Sequence, residues 1–291
     1  MDTLLGFWFA PVHPVRLRMF EKAFVFTFLL YMLERFRYAG EWLTAEGFHL
    51  TEATNNWYHI TPFPLLSAWQ VPVFAVVLFG SIAGVFTGRF RNIFMAVLFF
   101  CAVYVQQVDI ISAFTINKLY IAGFAVLALA PAARPFTLDS GETVMRQSAW
   151  PLRTLQLTMF IQYFTAGTCK VMYGDWLNYR DVLWTHVQGT YRTDIAAWML
   201  RVLPKWTWTV QMYLALAFET FGAFFFLDRR TVWWAMAVGL GFHLLIAATM
   251  HQLIYFSLQL LAYYILFMPE ETLLRLPVWK DLVLKRIIRH A

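Results

Sequence analysis

The sequence predicts an all-α integral membrane protein, a polytopic bundle of about eight transmembrane helices with interfacial helices on the outer side. Composition is the first reason: 60% of the 291 residues are hydrophobic, 19% are aromatic and only 14% are charged. This is more apolar side chain than one water-soluble core can bury. The other two reasons are a series of long apolar runs and the uneven distribution of Lys and Arg between them.

Eight apolar runs of roughly 20 residues have the length that crosses the hydrocarbon layer. In chain order they cover residues 22–39, 66–87, 93–108, 112–132, 152–173, 207–227, 231–250 and 253–268. The first run follows Arg16 and Arg18 and is too long for a cleaved signal peptide, so we expect it to be retained. Only a few residues join the third run to the fourth and the seventh to the eighth, which predicts two helical hairpins.

The basic residues predict the orientation. With the N-terminus inside, the inner segments hold 15 of the 23 Lys and Arg residues, the outer segments hold six, and Lys118 and Lys170 fall within spans. This bias predicts that both termini are cytoplasmic. The net charge of +6 therefore reflects topology. Because no soluble domain carries a basic patch, a nucleic-acid partner is not expected, and residues 1–291 are predicted to form a single transmembrane domain without an extracytoplasmic soluble domain.

Two outer connections are long. Residues 41–65 include His49, Glu52 and His59 and end in a Pro-Phe-Pro sequence, which predicts an irregular entry to the second span. Residues 175–206 are rich in tryptophan, which favours the membrane interface. There Thr193 or Asp194 can cap a short amphipathic helix that ends at Pro204. Its predicted apolar side comprises Ile195, Trp198, Met199 and Val202.

Lys170 is the most informative polar residue, because it ends the uncharged run 155–169 at the outer end of the fifth span. A lysine at this depth must reach the interface, find a partner or lose its proton and become a base. Tyr163 lies seven residues earlier on the same helical face, with the small residues Ala166 and Gly167 between them. This face leaves room for a neighbouring helix or a ligand.

Other polar residues fall at comparable depths, so one outward-opening cavity could collect most of them. They are Lys118 on the fourth span, Asp109 at the outer end of the third, Glu219 on the sixth, His243 and His251 on the seventh, Gln162 on the fifth and Gln259 on the eighth. Membrane charges often pair, so Glu219 is either a structural partner of Lys118 or Lys170 or a catalytic group.

Each candidate also has a purely structural interpretation. His243 can be a hydrogen-bonded packing residue, and Lys118 can extend to the interface without a function. His243 and His251 are eight residues apart and lack the spacing of a helical two-histidine site, so no metal is predicted. Cys169 is interpreted as a core thiol rather than a nucleophile.

A family resemblance rests on the sequence from Gln162 to Lys170, the Asp175-Trp176 pair, Glu219, the Phe242-His243 pair, and Ser257 with Gln259. This pattern resembles the HTTM (horizontally transferred transmembrane) domain family, whose domain is shared with the membrane part of vitamin K-dependent gamma-carboxylases. The resemblance covers essentially the whole chain. It implies an eight-helix-type membrane domain with a site on the outer side.

The resemblance implies roles for individual residues. Lys170 matches the base that deprotonates reduced vitamin K, His243 matches a histidine near it, and Glu219 would set the charge state of the lysines. Residues that would hold reduced vitamin K or another isoprenoid hydroquinone are Tyr163, Asn117, Lys118 and Gln259. The isoprenoid tail would enter from membrane lipid.

Three departures keep other functions open. Lys118 follows Asn117 where the carboxylases have a histidine, the lumenal domain that presents glutamate is not found, and the last span leaves the C-terminus inside. Bacterial HTTM proteins of this size are similar to the family that helps to mature a secreted toxin, for which no carboxylation is implied. We expect a location in a bacterial inner membrane. The alternatives are thus a non-catalytic factor that binds a peptide or protein client, or a lipid- or quinone-binding module; the sequence specifies no oligomeric state.

Overall fold

The structure is a computed structural model that describes residues 2–49, 63–108, 114–137 and 143–276. Within these ranges the chain is mostly helical. The helices are α1 (Asp2–Phe9), α2 (Val15–Phe36), α3 (Ala39–Leu43), α4 (Gln70–Thr87), α5 (Arg91–Gln107), α6 (Thr115–Leu129), α7 (Trp150–Tyr173), α8 (Val182–Val187), α9 (Asp194–Val202), α10 (Lys205–Phe225), α11 (Val232–Thr249), α12 (Leu253–Tyr264) and α13 (Glu270–Arg275). A 3-10 turn, Ile265–Phe267, follows α12 directly.

Each apolar run predicted as a span coincides with one helix. The eight runs correspond in order to α2, α4, α5, α6, α7, α10, α11 and α12 with its 3-10 turn. The largest difference is at α2, which begins at Val15 instead of Lys22. Pro14 precedes this helix, at a position where a missing backbone N–H is not needed. The prediction of a helical fold is confirmed.

Length and composition alone single out two helices in the described ranges that could cross a membrane, α4 and α11. Helices α5, α6 and α12 with its 3-10 turn are apolar but shorter. Helices α2, α7 and α10 are longer, and they are less apolar because charged and polar residues interrupt them.

A small antiparallel sheet was not predicted. Its strands are β1 (Pro11–Val12), β2 (Arg134–Thr137) and β3 (Thr143–Ser148), in the order β1-β3-β2. The register pairs Val12 with Gln147 and Arg134 with Arg146. Sequence patterns did not reveal this sheet, because β1 lies far from β3 along the chain and is only two residues long.

The chain divides into two compact units, which we describe separately. Unit 1 comprises Met1–Val12 and Glu21–Pro151, and unit 2 comprises His13–Phe20 and Leu152–Ala291. In unit 1, α5 packs on α4 and α6, as the predicted hairpin of α5 and α6 requires. The rings of Phe24, Phe28, Tyr120 and Phe124 form an aromatic cluster between α2 and α6, with centroids 4.6 to 5.9 Å apart.

In unit 2, α11 packs on both α10 and α12, which confirms the second predicted hairpin. Trp208, Val187 and Ala196 form a buried cluster that joins α8, α9 and α10. The Thr193 hydroxyl accepts a hydrogen bond from the Ala196 N–H at 3.0 Å, so Thr193 is the N-cap of α9. On α9, Ile195, Trp198 and Val202 are exposed as one apolar face.

Two predictions about side chains are corrected. Met199 does not share the exposed face of α9, because it packs against the buried cluster around Trp208. Cys169 is exposed on α7 and is not a core thiol, whereas Cys101 is buried. The predictions for Asp109 and for residues 50–62, with Glu52 and His59, concern residues outside the described part of the chain.

Candidate functional site

Lys170 and Glu219 form an ion pair between α7 and α10. The Lys170 ammonium donates a hydrogen bond to the Glu219 Oε2 atom. The structure thus selects Lys170, and not Lys118, as the partner of Glu219 in unit 2. The Lys170 side chain is 28% exposed and the Glu219 side chain 11%. A pair with so little water around it is strongly coupled.

Gly167 allows the two helices to approach beside this pair. A Cβ atom on Gly167 would lie 2.5 Å from the backbone N of Thr220 and 2.7 Å from its Cα. Backbone atoms cannot rotate away, so only glycine fits here without a shift of α7 or α10. Gly167 is one turn before Lys170, and Thr220 follows Glu219 directly. The small residue noted in the sequence therefore serves helix packing at the pair.

Trp176 is a second partner of Lys170 that the sequence analysis did not assign. The Lys170 Nζ atom lies 4.6 Å from the centroid of the Trp176 ring. An ammonium over an indole face is attracted by the ring quadrupole. The sequence placed Trp176 only among the interfacial tryptophans, and its position six residues after Lys170 was the signal that could have indicated the contact.

Tyr163, His243 and Tyr264 form a hydrogen-bonded group below the pair on α7, α11 and α12. The Tyr163 hydroxyl lies 2.5 Å from His243 Nε2 and 2.8 Å from the Tyr264 hydroxyl. Tyr163 also packs edge-on against Phe218, the residue before Glu219, with centroids 5.4 Å apart. Tyr163 and His243, both predicted as site residues, are thus in direct contact. Tyr264 was not predicted, because nothing in its local sequence distinguishes it.

His243 keeps one polar atom that is not bonded within the described part of the chain. The residue is fully buried, and its Nδ1 atom has no hydrogen-bond partner there. If Nε2 accepts from Tyr163, then Nδ1 carries the proton, and if Nε2 donates, then Nδ1 is an acceptor. In both tautomers the same buried atom lacks a partner, which is rare in folded proteins and is compatible with a ligand.

Ser257 presents a second buried polar atom, on the helix α12 whose Phe256 ring contacts this imidazole. Its hydroxyl likewise has no partner in the described ranges. Ser257 follows Phe256, whose ring centroid lies 6.3 Å from that of His243. Gln259, two residues further along α12, is also fully buried. A buried hydroxyl without a partner is costly, so the Ser257 position of α12 is compatible with a polar ligand group.

Asn117 and Lys118, the other predicted cofactor residues, belong to unit 1. Asn117 is buried at the start of α6, where its Oδ1 atom accepts a hydrogen bond from the Tyr31 hydroxyl at 2.9 Å. Lys118 is exposed on the adjacent face. Neither residue belongs to the Lys170 and His243 groups of unit 2, and Tyr31 was not predicted as a partner of Asn117.

A buried charge pair in unit 1 was also missed. Arg91 donates to Glu21 at 2.6 Å, and their side chains are 8% and 1% exposed. Arg91 further donates to Asn92 Oδ1 at 2.7 Å. The signal available in the sequence was that Glu21 and Arg91 both lie at predicted inner ends of spans, at equal depth.

Comparison with known proteins supplies the family. The model of the HTTM domain matches residues 9–271. The chain has no match among curated proteins or solved structures. The family, together with the apolar helices α4 and α11, indicates a membrane protein. Because the match covers nearly the whole chain, the protein belongs to the HTTM domain family.

Proposed function

We propose that this protein is a quinone-dependent enzyme of the carboxylase type, in which Lys170 is the base at the outer side of a membrane. The observation that carries the proposal is the Lys170–Glu219 pair. A lysine and a carboxyl group in contact share one proton, and in a site of low polarity the neutral form of the pair becomes accessible. Glu219 would then hold the proton while the Lys170 amine acts on a substrate hydroxyl.

The residues of unit 2 fit a hydroquinone head group. His243 Nδ1 and the Ser257 hydroxyl are buried and lack partners in the described ranges, and a ligand hydroxyl could bind either. Tyr163 would fix the imidazole orientation through its hydrogen bond to Nε2, and Tyr264 would hold the Tyr163 hydroxyl. No metal is proposed.

Reduced vitamin K, or another isoprenoid hydroquinone, would supply the reducing electrons for oxygen and be converted to its epoxide while a glutamate side chain gains carbon dioxide. The protein's own contribution is more limited. With its own proton on Glu219, the Lys170 amine removes the hydroxyl proton and returns to the ammonium form, and Trp176 holds the lysine in place through its ring face. His243 orients the reacting oxygen by a hydrogen bond. Burial of these groups excludes water from the proton transfer.

The proposed setting is a bacterial inner membrane, crossed by about eight helices with both termini in the cytoplasm. The excess of Lys and Arg in the alternate segments supports this topology. On the opposite side, the exposed apolar face of α9 would lie in the interface, where Trp198 suits the head-group region. The partners would be membrane lipid and a peptide or protein client.

The experiment follows quinone epoxide formation by the purified protein in lipid nanodiscs, with reduced vitamin K, oxygen, bicarbonate and a glutamate peptide. We expect epoxide from the wild type and a loss of about a hundredfold or more for Lys170→Ala. Lys205→Ala is the matched control, because Lys205 is exposed at the start of α10 and pairs only with the exposed Asp181 among the described acids. A folded wild type that produces no epoxide from any isoprenoid hydroquinone contradicts the proposal.

One observation favours a second candidate, a non-catalytic factor for maturation or export of a secreted peptide. The apolar face of Ile195, Trp198 and Val202 is also suited to hold an apolar client segment. Such a factor would keep its activity in Lys170→Met and lose it in Trp198→Ser. Quinone that co-purifies with the protein without turnover would instead indicate a binding module.

A further inference from the structure

Unit 1 contains an arginine whose surroundings are those of a binding residue. The Arg35 guanidinium lies over the ring of Trp42, with its central carbon 4.1 Å from the ring centroid. The Trp42 indole N–H donates to the Arg35 carbonyl at 2.9 Å, and Trp42 itself is buried. The Arg35 head group therefore lies against a buried ring that is itself bonded to the Arg35 backbone, before any ligand arrives.

The hydrogen bonds of Arg35 have a fixed direction. A guanidinium can only donate, so its Nη1 atom donates to the Tyr31 hydroxyl at 3.0 Å. The Tyr31 hydroxyl in turn donates to Asn117 Oδ1 at 2.9 Å. The Tyr31 hydroxyl thus links the guanidinium on α2 to the amide oxygen on α6.

The charge of Arg35 is not neutralised by any carboxylate within 4.0 Å in the described ranges. Its neighbour Arg37, by contrast, pairs with Glu34 at 3.1 Å. With Nη1 bound to Tyr31, the edge formed by Nε–H and Nη2–H2 remains. This edge is the one that binds both oxygens of a carboxylate in parallel. Lys118, next to Asn117 on α6, adds a second exposed positive charge.

We propose that Arg35, with Tyr31 and Asn117 as its positioning partners, forms a carboxylate-binding site of unit 1 that takes an acidic side chain of a client peptide. A planar anion of one charge matches the edge of the guanidinium formed by Nε and Nη2. A half-buried arginine fixed by an indole and a tyrosine hydroxyl needs such an anion as its counter-ion. The site concerns binding alone and does not depend on the chemistry proposed for Lys170.

Binding of two matched peptides tests the site. The probes are blocked pentapeptides with one central glutamate or one central glutamine, each carrying a neutral dye, titrated against the full-length protein in nanodiscs. A bidentate charge-assisted contact predicts that the wild type binds the glutamate peptide about tenfold or more tightly. Arg35→Gln should abolish this preference, and Arg35→Lys should weaken it, because an ammonium cannot bind both oxygens in parallel.

Arg37→Gln is the matched control, since it removes the same charge two residues away from an exposed pair and should keep the preference. Bicarbonate serves as a competitor, which tells a site for a small free anion from a site for a peptide carboxylate. If bicarbonate displaces the glutamate peptide at concentrations near that of the peptide, the site belongs to bicarbonate and the client proposal is overturned. If Asp109 or Glu52, outside the described residues, neutralised Arg35, the wild type would not distinguish the peptides, and this outcome also overturns the proposal.

Further variants separate effects on folding and on catalysis from the effect on peptide binding. If Arg35→Gln is unfolded by thermal melting, Arg35→Lys and Tyr31→Phe give the answer, because both keep the positive charge over Trp42. An unchanged preference in these folded variants contradicts the site. Lys170→Met should keep the full preference while it loses turnover, so a failure of the proposed enzymatic function leaves the binding result intact.

Discussion

The described part of each unit contains a partly or fully buried ion pair between helices, and the two pairs differ in the group that carries the positive charge. In unit 1, Arg91 pairs with Glu21, and the side chains are 8% and 1% exposed. In unit 2, Lys170 pairs with Glu219, and the side chains are 28% and 11% exposed. A guanidinium keeps its proton under all conditions in which proteins fold, whereas a desolvated ammonium can transfer its proton to a carboxylate. The proposed function rests on this difference in the cationic group of the two pairs.

The largest expected effect on stability is at the pair of unit 1. Arg91→Met leaves the Glu21 carboxylate buried without its main counter-charge, which should lower the free energy of unfolding by about 3–5 kcal/mol. Lys170→Met should cost less, because Glu219 and its surroundings are more open to water. Unfolding in detergent micelles, followed by denaturant titration, measures both. Equal losses for the two variants would remove the distinction between the pairs.

The next effect concerns the helix contact that holds the second pair. Gly167→Ala places a Cβ atom against the backbone of Thr220 and should cost about 1–3 kcal/mol, because α7 and α10 must move apart. Epoxide formation should fall as well, since the shift separates Lys170 from Glu219. Gly241→Ala on α11 meets open space and serves as the control, with little change in either quantity. An active, stable Gly167→Ala protein would show that the pair does not require this close approach.

A smaller loss is expected at the hydrogen-bonded group below the pair. Tyr163→Phe removes the hydroxyl that contacts both His243 and Tyr264 and leaves their buried polar atoms without it. The free energy of unfolding should fall by about 1–2 kcal/mol. Tyr213→Phe, at an exposed position of α10, is the control. If the two variants have the same free energy of unfolding, the Tyr163 hydroxyl contributes nothing to the stability of unit 2.

The smallest effect is expected at the exposed pair of Asp181 and Lys205. The hydrogen bond from Lys205 lowers the pKa of Asp181 below its ordinary value of 3.8. A lowered pKa stabilises the fold above the ordinary pKa, and this contribution is lost as the pH falls through the lowered value. Lys205→Gln should therefore leave the thermal midpoint at pH 7 within error, because exposed pairs are screened by solvent. A clear shift at pH 7 would show that this surface pair is stronger than its exposure indicates.

Much of the fold could be predicted from the sequence, because long apolar runs make helices wherever they occur. All eight runs are helices, and both predicted hairpins pack as expected. The small sheet could not be predicted, since β1 consists of two residues and meets its partner strand only through tertiary structure. The first turns of α2 were also not predicted, because Arg16 and Arg18 led us to interpret that segment as lying outside the first span.

The candidate site was partly predictable for a related reason. Lys170, Glu219, Tyr163 and His243 stand out as polar residues in apolar helices, and two contacts among them follow from shared depth. Depth alone did not decide which lysine pairs with Glu219. Trp176, Tyr264 and Tyr31 were missed, because tyrosine and tryptophan are too common in this chain to attract attention. Their roles depend on the packing of helices that are distant in sequence.

The most direct test of the central claim compares two charge-conserving variants in the epoxide assay. Lys170→Arg keeps the positive charge beside Glu219 but replaces the amine with a group that cannot give up its proton, so we expect epoxide formation to fall about a hundredfold or more. Arg91→Lys keeps the charge of the unit 1 pair and should retain activity within a few-fold, after correction for the folded fraction. A Lys170→Arg protein with wild-type activity, or equal losses in both variants, would contradict the account.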